Sequence, residues 1–313
     1  MQVQLIAPSG ASLDERSPTA GIAWLRGEGV SVGNTECTQR VHQRFAGTDA
    51  ERLAELNDLA ALPASTTAMA MRGGYGLHRL LDRIEWQAIH KAVTAGLQIC
   101  GHSDFTAFQL GLLAKTGGIS LAGPMLNYDF GRIEGNQVVV PDPLMWAHFK
   151  RAIQERSLNA QVNASQLLSA LGSKTKTATG MLWGGNLTVL TSLIGTPYFP
   201  SEQQYQRGIL FLEDVNEHPY RIERMLMQLL EAGILAKQSA IMLGGFSAYR
   251  LYDNDRGYSL QAAFEAIRSR LPDSIPILTD LPFGHQPNKL TLPVGAIVEV
   301  EANNTGYSLQ ADW

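Results

Sequence analysis

Leu97-Gln98-Ile99-Cys100-Gly101-His102-Ser103-Asp104-Phe105 carries a short apolar run into a Gly-x-Ser turn, and a helical pattern follows from Phe105 to Lys115. That is a strand, a tight turn and a helix in immediate succession. The same order occurs just upstream, where Thr66 to Met71 reads as a strand running into Arg72-Gly73-Gly74-Tyr75-Gly76. Val3 to Ala7 reads as a first strand. Helical periodicity occupies Ser17 to Gly27, Asp49 to Leu62 and Leu77 to Ala95. Strands alternating with helices require crossover connections and predict a mostly parallel sheet.

A helix over Pro143 to Arg156 is followed by a change in character: Ser157 to Thr177 is rich in Ser, Asn, Ala, Lys and Thr and poor in large apolar residues. A second α/β set comes next. Gly208 to Leu212, Ser239 to Leu243, Ile275 to Leu278 and Val294 to Val300 read as strands, with helices at Pro219 to Leu230 and Tyr258 to Leu271. A length of 313 residues accommodates two domains. The expected organisation is a Rossmann-like, mostly parallel α/β domain over 1–156, a linker over 157–177, and a second, smaller α/β domain over 178–313.

Composition excludes several functions. Hydrophobic residues make up 45% and charged residues 17%, a balance suited to a packed core. A net charge of −4 provides no global field for a phosphate backbone, so no nucleic-acid partner is expected. Cys37 and Cys100 cannot build a disulfide scaffold, which points to a reducing compartment. The opening residues contain no basic leader, and the charge-free stretch from Thr177 to Ser201 is interrupted by Gly180, Gly184-Gly185-Asn186 and Pro197. A soluble, cytoplasmic protein without a membrane span is the expectation. The absence of a His-Glu-x-x-His pattern or a His/Cys cluster predicts neither a metal nor another cofactor.

Ser103 stands at the carboxyl end of a strand, where open α/β sheets bind ligands, and the Asp104 amide that follows it suits a developing oxyanion. Helix capping accounts for a Ser-Asp pair at a helix start as well. Gly74, in the glycine-rich turn, is a second backbone donor in prospect, although a plain tight turn explains the same residues. Glu213 ends a strand at Glu213-Asp214-Val215-Asn216-Glu217-His218-Pro219 and is placed to orient an imidazole. Asp214 and Glu217 compete with it, and spacing leaves all three open. His285 lies in Leu281-Pro282-Phe283-Gly284-His285-Gln286-Pro287, a loop braced by prolines that suits a general base. His102 is set aside as projecting away from Ser103 in a tight elbow. The order Ser, Glu, His, at separations of 110 and 72 residues, puts the serine in one domain and its partners in the other. An interdomain cleft is the expected site.

With these residues in hand, the sequence resembles the LD-carboxypeptidase family of serine peptidases, which includes the microcin-immunity peptidases. The resemblance rests on Leu5-Ile6-Ala7-Pro8-Ser9, Arg72-Gly73-Gly74-Tyr75-Gly76, Gly101-His102-Ser103-Asp104, Gly184-Gly185-Asn186-Leu187, Leu212-Glu213-Asp214, Pro219-Tyr220-Arg221, Glu223-Arg224-Met225-Leu226 and Gly284-His285, in family order across nearly the whole chain. It implies Ser103 as nucleophile, His285 as general base and then acid, Glu213 as the orienting carboxylate, and Gly74 and Asp104 as backbone donors of an oxyanion hole. The implied reaction releases the terminal D-alanine of a cytoplasmic murein tetrapeptide during cell-wall recycling, with a small peptide as substrate and a homodimer as assembly. The alternative is a microcin-type peptidase acting on a peptide-nucleotide conjugate. A conventional α/β-hydrolase elbow wants a small residue two positions after the serine, where this chain has Phe105. The family often places an aromatic residue before the nucleophile, where this chain has His102. Asn186 is a candidate for the wall of the cleft.

Overall fold

The computed structural model describes residues 1–164 and 176–313. The first domain runs β1 (Gln2–Ile6), α1 (Arg16–Gly27), β2 (Ser31–Gly33), α2 (Asp49–Asn57), β3 (Thr66–Ala70), α3 (Trp86–Ala95), β4 (Gln98–Gly101), α4 (Thr106–Thr116) and β5 (Ser120–Ala122). These strands pair in parallel in the spatial order 2-1-3-4-5. Strand order reverses between β1 and β3, and the crevice beyond their carboxyl ends is the usual ligand site of such a sheet. The turns after both strands meet there, with the Gly10 amide donating to the Gly73 carbonyl at 3.2 Å.

A hairpin of β6 (Ile133–Glu134) and β7 (Gln137–Val138) and a helix α5 (Pro143–Glu155) lead to the second sheet. It is entered through β8 (Ser157–Asn163) and β9 (Lys176–Asn186), then α6 (Leu187–Ser192), α7 (Glu202–Tyr205), β10 (Ile209–Val215), α8 (Pro219–Glu231), β11 (Ala240–Ser247), α9 (Leu260–Arg268) and β12 (Ile277–Leu278). The chain closes with β13 (Leu292–Val294), β14 (Ile297–Asn303) and β15 (Gly306–Asp312). Strands β9 to β12 are parallel neighbours, and β14, β15 and β8 extend the sheet antiparallel from β9. Strand β13 leaves this half and pairs antiparallel with β5. Two α/β domains result, one sheet mostly parallel and one mixed, over a hydrophobic core continuous between them.

Differences from the sequence expectation have local causes. Ser157 to Asn163, expected as connection, forms β8, with Leu158, Ala160 and Val162 buried and the alternate residues turned outward. Residues 165–175 of the expected linker lie outside the described residues. The helix expected over Leu77 to Ala95 starts only at Trp86. Leu77–Arg79 and Leu81–Arg83 instead form two short turns, the first held by the Asp104 carboxylate, which accepts from the Leu77 amide at 3.2 Å. The strand expected over Val294 to Val300 divides at Gly295 into β13 and β14, each serving a different sheet.

One further segment positions the site. Leu126–Phe130 forms a wide helical turn closed by a bond from the Gly131 amide to the Leu126 carbonyl at 2.9 Å. Phe130, fully buried, anchors it against Trp24 at 5.4 Å between ring centres, and against Trp146 and Phe149 at 5.9 Å each. Phe130→Ala removes this anchor, and we expect a loss of about 3–5 kcal/mol in stability, read from the urea midpoint.

Candidate active site

Ser103 follows β4 with a φ of +64°, a left-handed conformation that a non-glycine residue rarely holds. His102 is extended before it, and the chain then turns tightly through Ser103–Phe105 into α4. Neither the Ser103 nor the Asp104 side chain caps that helix. Instead the Asp104 carboxylate, 2% exposed, accepts from the Ser9 hydroxyl at 2.7 Å and from the Leu77 amide at 3.2 Å. Burial pushes its pKa up against those two bonds. One carboxylate thus ties the serine turn to the loops after β1 and β3. Gly73 faces the serine so closely that a β-carbon there would lie 2.8 Å from Ser103 Oγ and 3.2 Å from the Asp104 amide nitrogen. Gly74, next in the same turn, is exposed and has a φ of +110°.

Glu213 comes from β10, at an irregularity in its pairing with β11 between Leu212 and Asp214. Such a bulge re-aims side chains, and here the two adjacent acids serve different partners. Glu213 Oε2 lies 2.8 Å from His285 Nδ1, while Asp214 Oδ2 accepts from the Thr188 amide at 2.9 Å and hydroxyl at 2.8 Å. Glu217 pairs with Arg221 at 3.6 Å. Of the three competing acids, Glu213 alone is hydrogen-bonded to His285 among the described residues. It is 0% exposed, and the Asn186 amide donates to its Oε1 at 3.2 Å and to Asp214 Oδ1 at 3.1 Å. Asn186 therefore braces the acids from behind. Burial, together with the neighbouring Glu213, raises the pKa of Asp214 against its Thr188 bonds.

His285 Nε2 stands 3.1 Å from Ser103 Oγ, so the structure brings Ser103, His285 and Glu213 into one hydrogen-bonded chain. Gly284 makes the approach feasible: at φ +123°, a β-carbon there would sit 3.1 Å from the Glu213 side chain. The Tyr128 hydroxyl donates to the His285 carbonyl at 3.2 Å. His102, set aside on sequence, packs its buried ring 5.2 Å from the His285 ring. His102, expected to project away from the serine, instead lines the site through His285, whereas Tyr128 and Lys289 were missed because nothing in their local sequence marks them. The serine and glycine turns come from the first domain and the acid and histidine from the second. Thr106 of α4 joins the two halves by accepting from the Asn186 amide at 3.0 Å.

A serine held in a strained turn, an imidazole within reach of its hydroxyl and a buried carboxylate behind the imidazole have the make-up of a serine hydrolase. Comparison with known proteins narrows the class. Models of the LD-carboxypeptidase N-terminal and C-terminal domains match residues 3–123 and 179–300. The chain belongs to the LD-carboxypeptidase family of serine-type carboxypeptidases. It is similar to the crystal structure of muramoyltetrapeptide carboxypeptidase from Oxalobacter formigenes, with a TM-score of 0.86 and 38% identity over 100% of this chain and 99% of that one. A probable murein peptide carboxypeptidase of Bacillus subtilis is 30% identical over 94% of this chain and 86% of its own length. The microcin C7 self-immunity protein of Escherichia coli is 27% identical over 92% and 86%.

The close approach of Gly73 yields a direct test. Gly73→Ala places a methyl group against Ser103 Oγ, and turnover should fall about 10²-fold or more while the melting temperature stays within a few degrees. Unimpaired turnover would show that the glycine turn does not border the reacting atoms.

Proposed function

We propose that Ser103, His285 and Glu213 are the catalytic triad of a serine LD-carboxypeptidase that releases the terminal D-alanine from murein tetrapeptide in peptidoglycan recycling. The observation that carries this reading is the hydrogen-bonded chain from Ser103 Oγ through His285 to the buried Glu213, at 3.1 and 2.8 Å, within the frame of this family. We further assign the protein to the cytoplasm, in keeping with two buried free thiols, and expect a homodimer. No helix among the described residues is long and apolar enough to cross a membrane.

Neutral His285 takes the proton of Ser103 Oγ as that oxygen bonds to the carbonyl carbon. The carbonyl oxygen becomes an oxyanion facing the Gly74 and Asp104 amides. The Glu213 carboxylate stabilises the imidazolium that forms. Collapse breaks the C–N bond, and His285 returns its proton to the departing amine of D-alanine. Water, deprotonated by His285, then attacks the acyl-enzyme and regenerates Ser103. Ser103→Ala should abolish D-alanine release from the tetrapeptide. Undiminished release, or cleavage confined to a peptide-nucleotide conjugate, would overturn the assignment.

An exopeptidase also has to recognise the free carboxylate one residue, about 3.8 Å along the chain, beyond the scissile carbonyl. We assign that role to Arg72. Its guanidinium lies against the glycine turn, with Nη2 3.3 Å from the position of a β-carbon on Gly74. One arm donates to the Ala11 carbonyl at 2.8 Å, and no carboxylate pairs with it among the described residues. Burial and nearby Arg44 draw its pKa down, a cost that an arriving anion relieves. Arg72→Gln should lower kcat/KM about 10- to 100-fold on the free-acid peptide and leave a C-terminally amidated peptide nearly unchanged. An equal loss on both would assign Arg72 to loop structure alone.

A further inference from the structure

Behind the His285 ring lies a buried polar cluster that the acyl-transfer steps leave unused. Lys289 is 0% exposed, and its Nζ is 2.6 Å from Asp129 Oδ1, a side chain that is itself fully buried. The other oxygen of Asp129 accepts from the Met125 amide at 2.7 Å. On its far side the Lys289 ammonium reaches His102 Nε2 at 3.3 Å, and His102 Nδ1 reaches the Gly123 carbonyl at 2.9 Å. An ammonium offers only donors, so His102 Nε2 must accept, and its proton sits on Nδ1 and points to Gly123. These partners leave no site for a second proton. The neutral ring so fixed stands 5.2 Å from the ring of His285.

We propose that Lys289 is a positioning residue for the catalytic base: it locks His102 in a single neutral tautomer as the wall against which the His285 ring packs. The inference rests on the reading of His285 as general base. Glu213 of β10 favours the imidazolium; Ser103 and the neutral His102, both following β4, contribute no charge. Tyr128, from the wide turn, holds the His285 backbone and takes the Lys289 ammonium over its ring at 5.4 Å. Asp129 of the same turn neutralises Lys289 at 2.6 Å and itself senses the charge of His285, so the pair sets no net positive field there. What Lys289 fixes is the protonation of His102. Consistent with this, burial, then Lys289, then His285 hold His102 well below the ordinary imidazole range.

The geometry explains how a histidine is accommodated at this buried position. Its ring packs 6.2 Å from Phe283 and 5.2 Å from His285, and Lys289 supplies the donor that makes a buried imidazole satisfied and uncharged. A basic, solvated imidazole at the same place would compete for the Ser103 proton.

The test is the histidine nitrogen NMR spectrum. In the unaltered enzyme the resonances lost in His102→Phe should report a neutral ring, protonated on Nδ1, from about pH 5 to 9, and titration with an ordinary imidazole midpoint overturns the proposal. Lys289→Met removes the donor to Nε2, and the His102 resonances should then titrate or report the other tautomer while kcat for D-alanine release falls about 10-fold. Resonances and rate both unchanged in that variant overturn the proposal as well. Full activity in His285→Ala would instead bring down the triad reading itself, so the two failures are distinguishable.

Discussion

A carboxylate withdrawn completely from water is tolerable only where donors replace its hydration, and Glu213 imposes that requirement on the structure around it. One oxygen is taken by His285 and the other by Asn186. Meeting both demands fixes the carboxyl end of β9 and the backbone at Gly284, which bring the two donors, and the irregularity in β10, which aims the acceptor, toward one point inside the second domain. Asn186 also caps α6 through its side-chain oxygen, which accepts from the Val189 amide at 3.1 Å. The residue that satisfies the acid is therefore held by the helix it starts. The imidazole, oriented on one face by Glu213, has a single productive direction left for Nε2, and that direction crosses the domain boundary.

The crossing explains why the two sheets are not independent. A hydrogen bond of 3.1 Å between His285 and Ser103 tolerates little displacement between domains. The chain restricts such displacement in two ways. Strand β13, seven residues beyond His285, is laid onto β5 of the opposite sheet, so the histidine loop is anchored in the first domain at its far end. Thr106, three residues beyond Ser103, bonds the Asn186 backbone of the second domain. Both ties lie close in sequence to the residues they align. The hydrophobic core that runs between the domains adds non-directional cohesion, but it is these short-range ties that set the register of the two halves.

What could be read from the sequence follows the same division. The strand-turn-helix unit around Ser103 and the glycine turn after β3 were legible because each is written in adjacent residues, with glycines marking where the backbone must bend. Strand β8 escaped notice because its inward face rests on small and medium residues, Leu158, Ala160 and Val162, dispersed among polar neighbours that resemble a linker. Strand β13 was hidden for another reason: three residues gain their identity from a partner in the other domain. Which of Glu213, Asp214 and Glu217 faces the histidine depends on a bulge, and spacing does not encode a bulge. Lys289 and Asp129 were invisible in the strict sense, since a lysine two residues after a proline in a loop reads as solvated until a carboxylate 160 residues away removes it from water.

That pair belongs to a pattern, for the site is flanked by two wholly buried cations. On one side Arg52 donates to the Pro8 carbonyl at 2.6 Å and pairs with Asp49 at 2.5 Å, pinning the turn after β1. On the other Lys289 pins the wide turn and the loop of His285. Burying a charge in this way is poor value for stability, and well-packed apolar residues of similar volume commonly do as well or better. An apolar substitute, however, packs without direction and would leave the Pro8 carbonyl and the His102 nitrogen without donors. The two cations flank loops that must hold a strained serine and a rotatable imidazole in fixed relation, where a directional bond accomplishes what a hydrophobic contact does not. Their cost falls on the stability of the fold, and their return is the geometry of the turns that carry the chemistry.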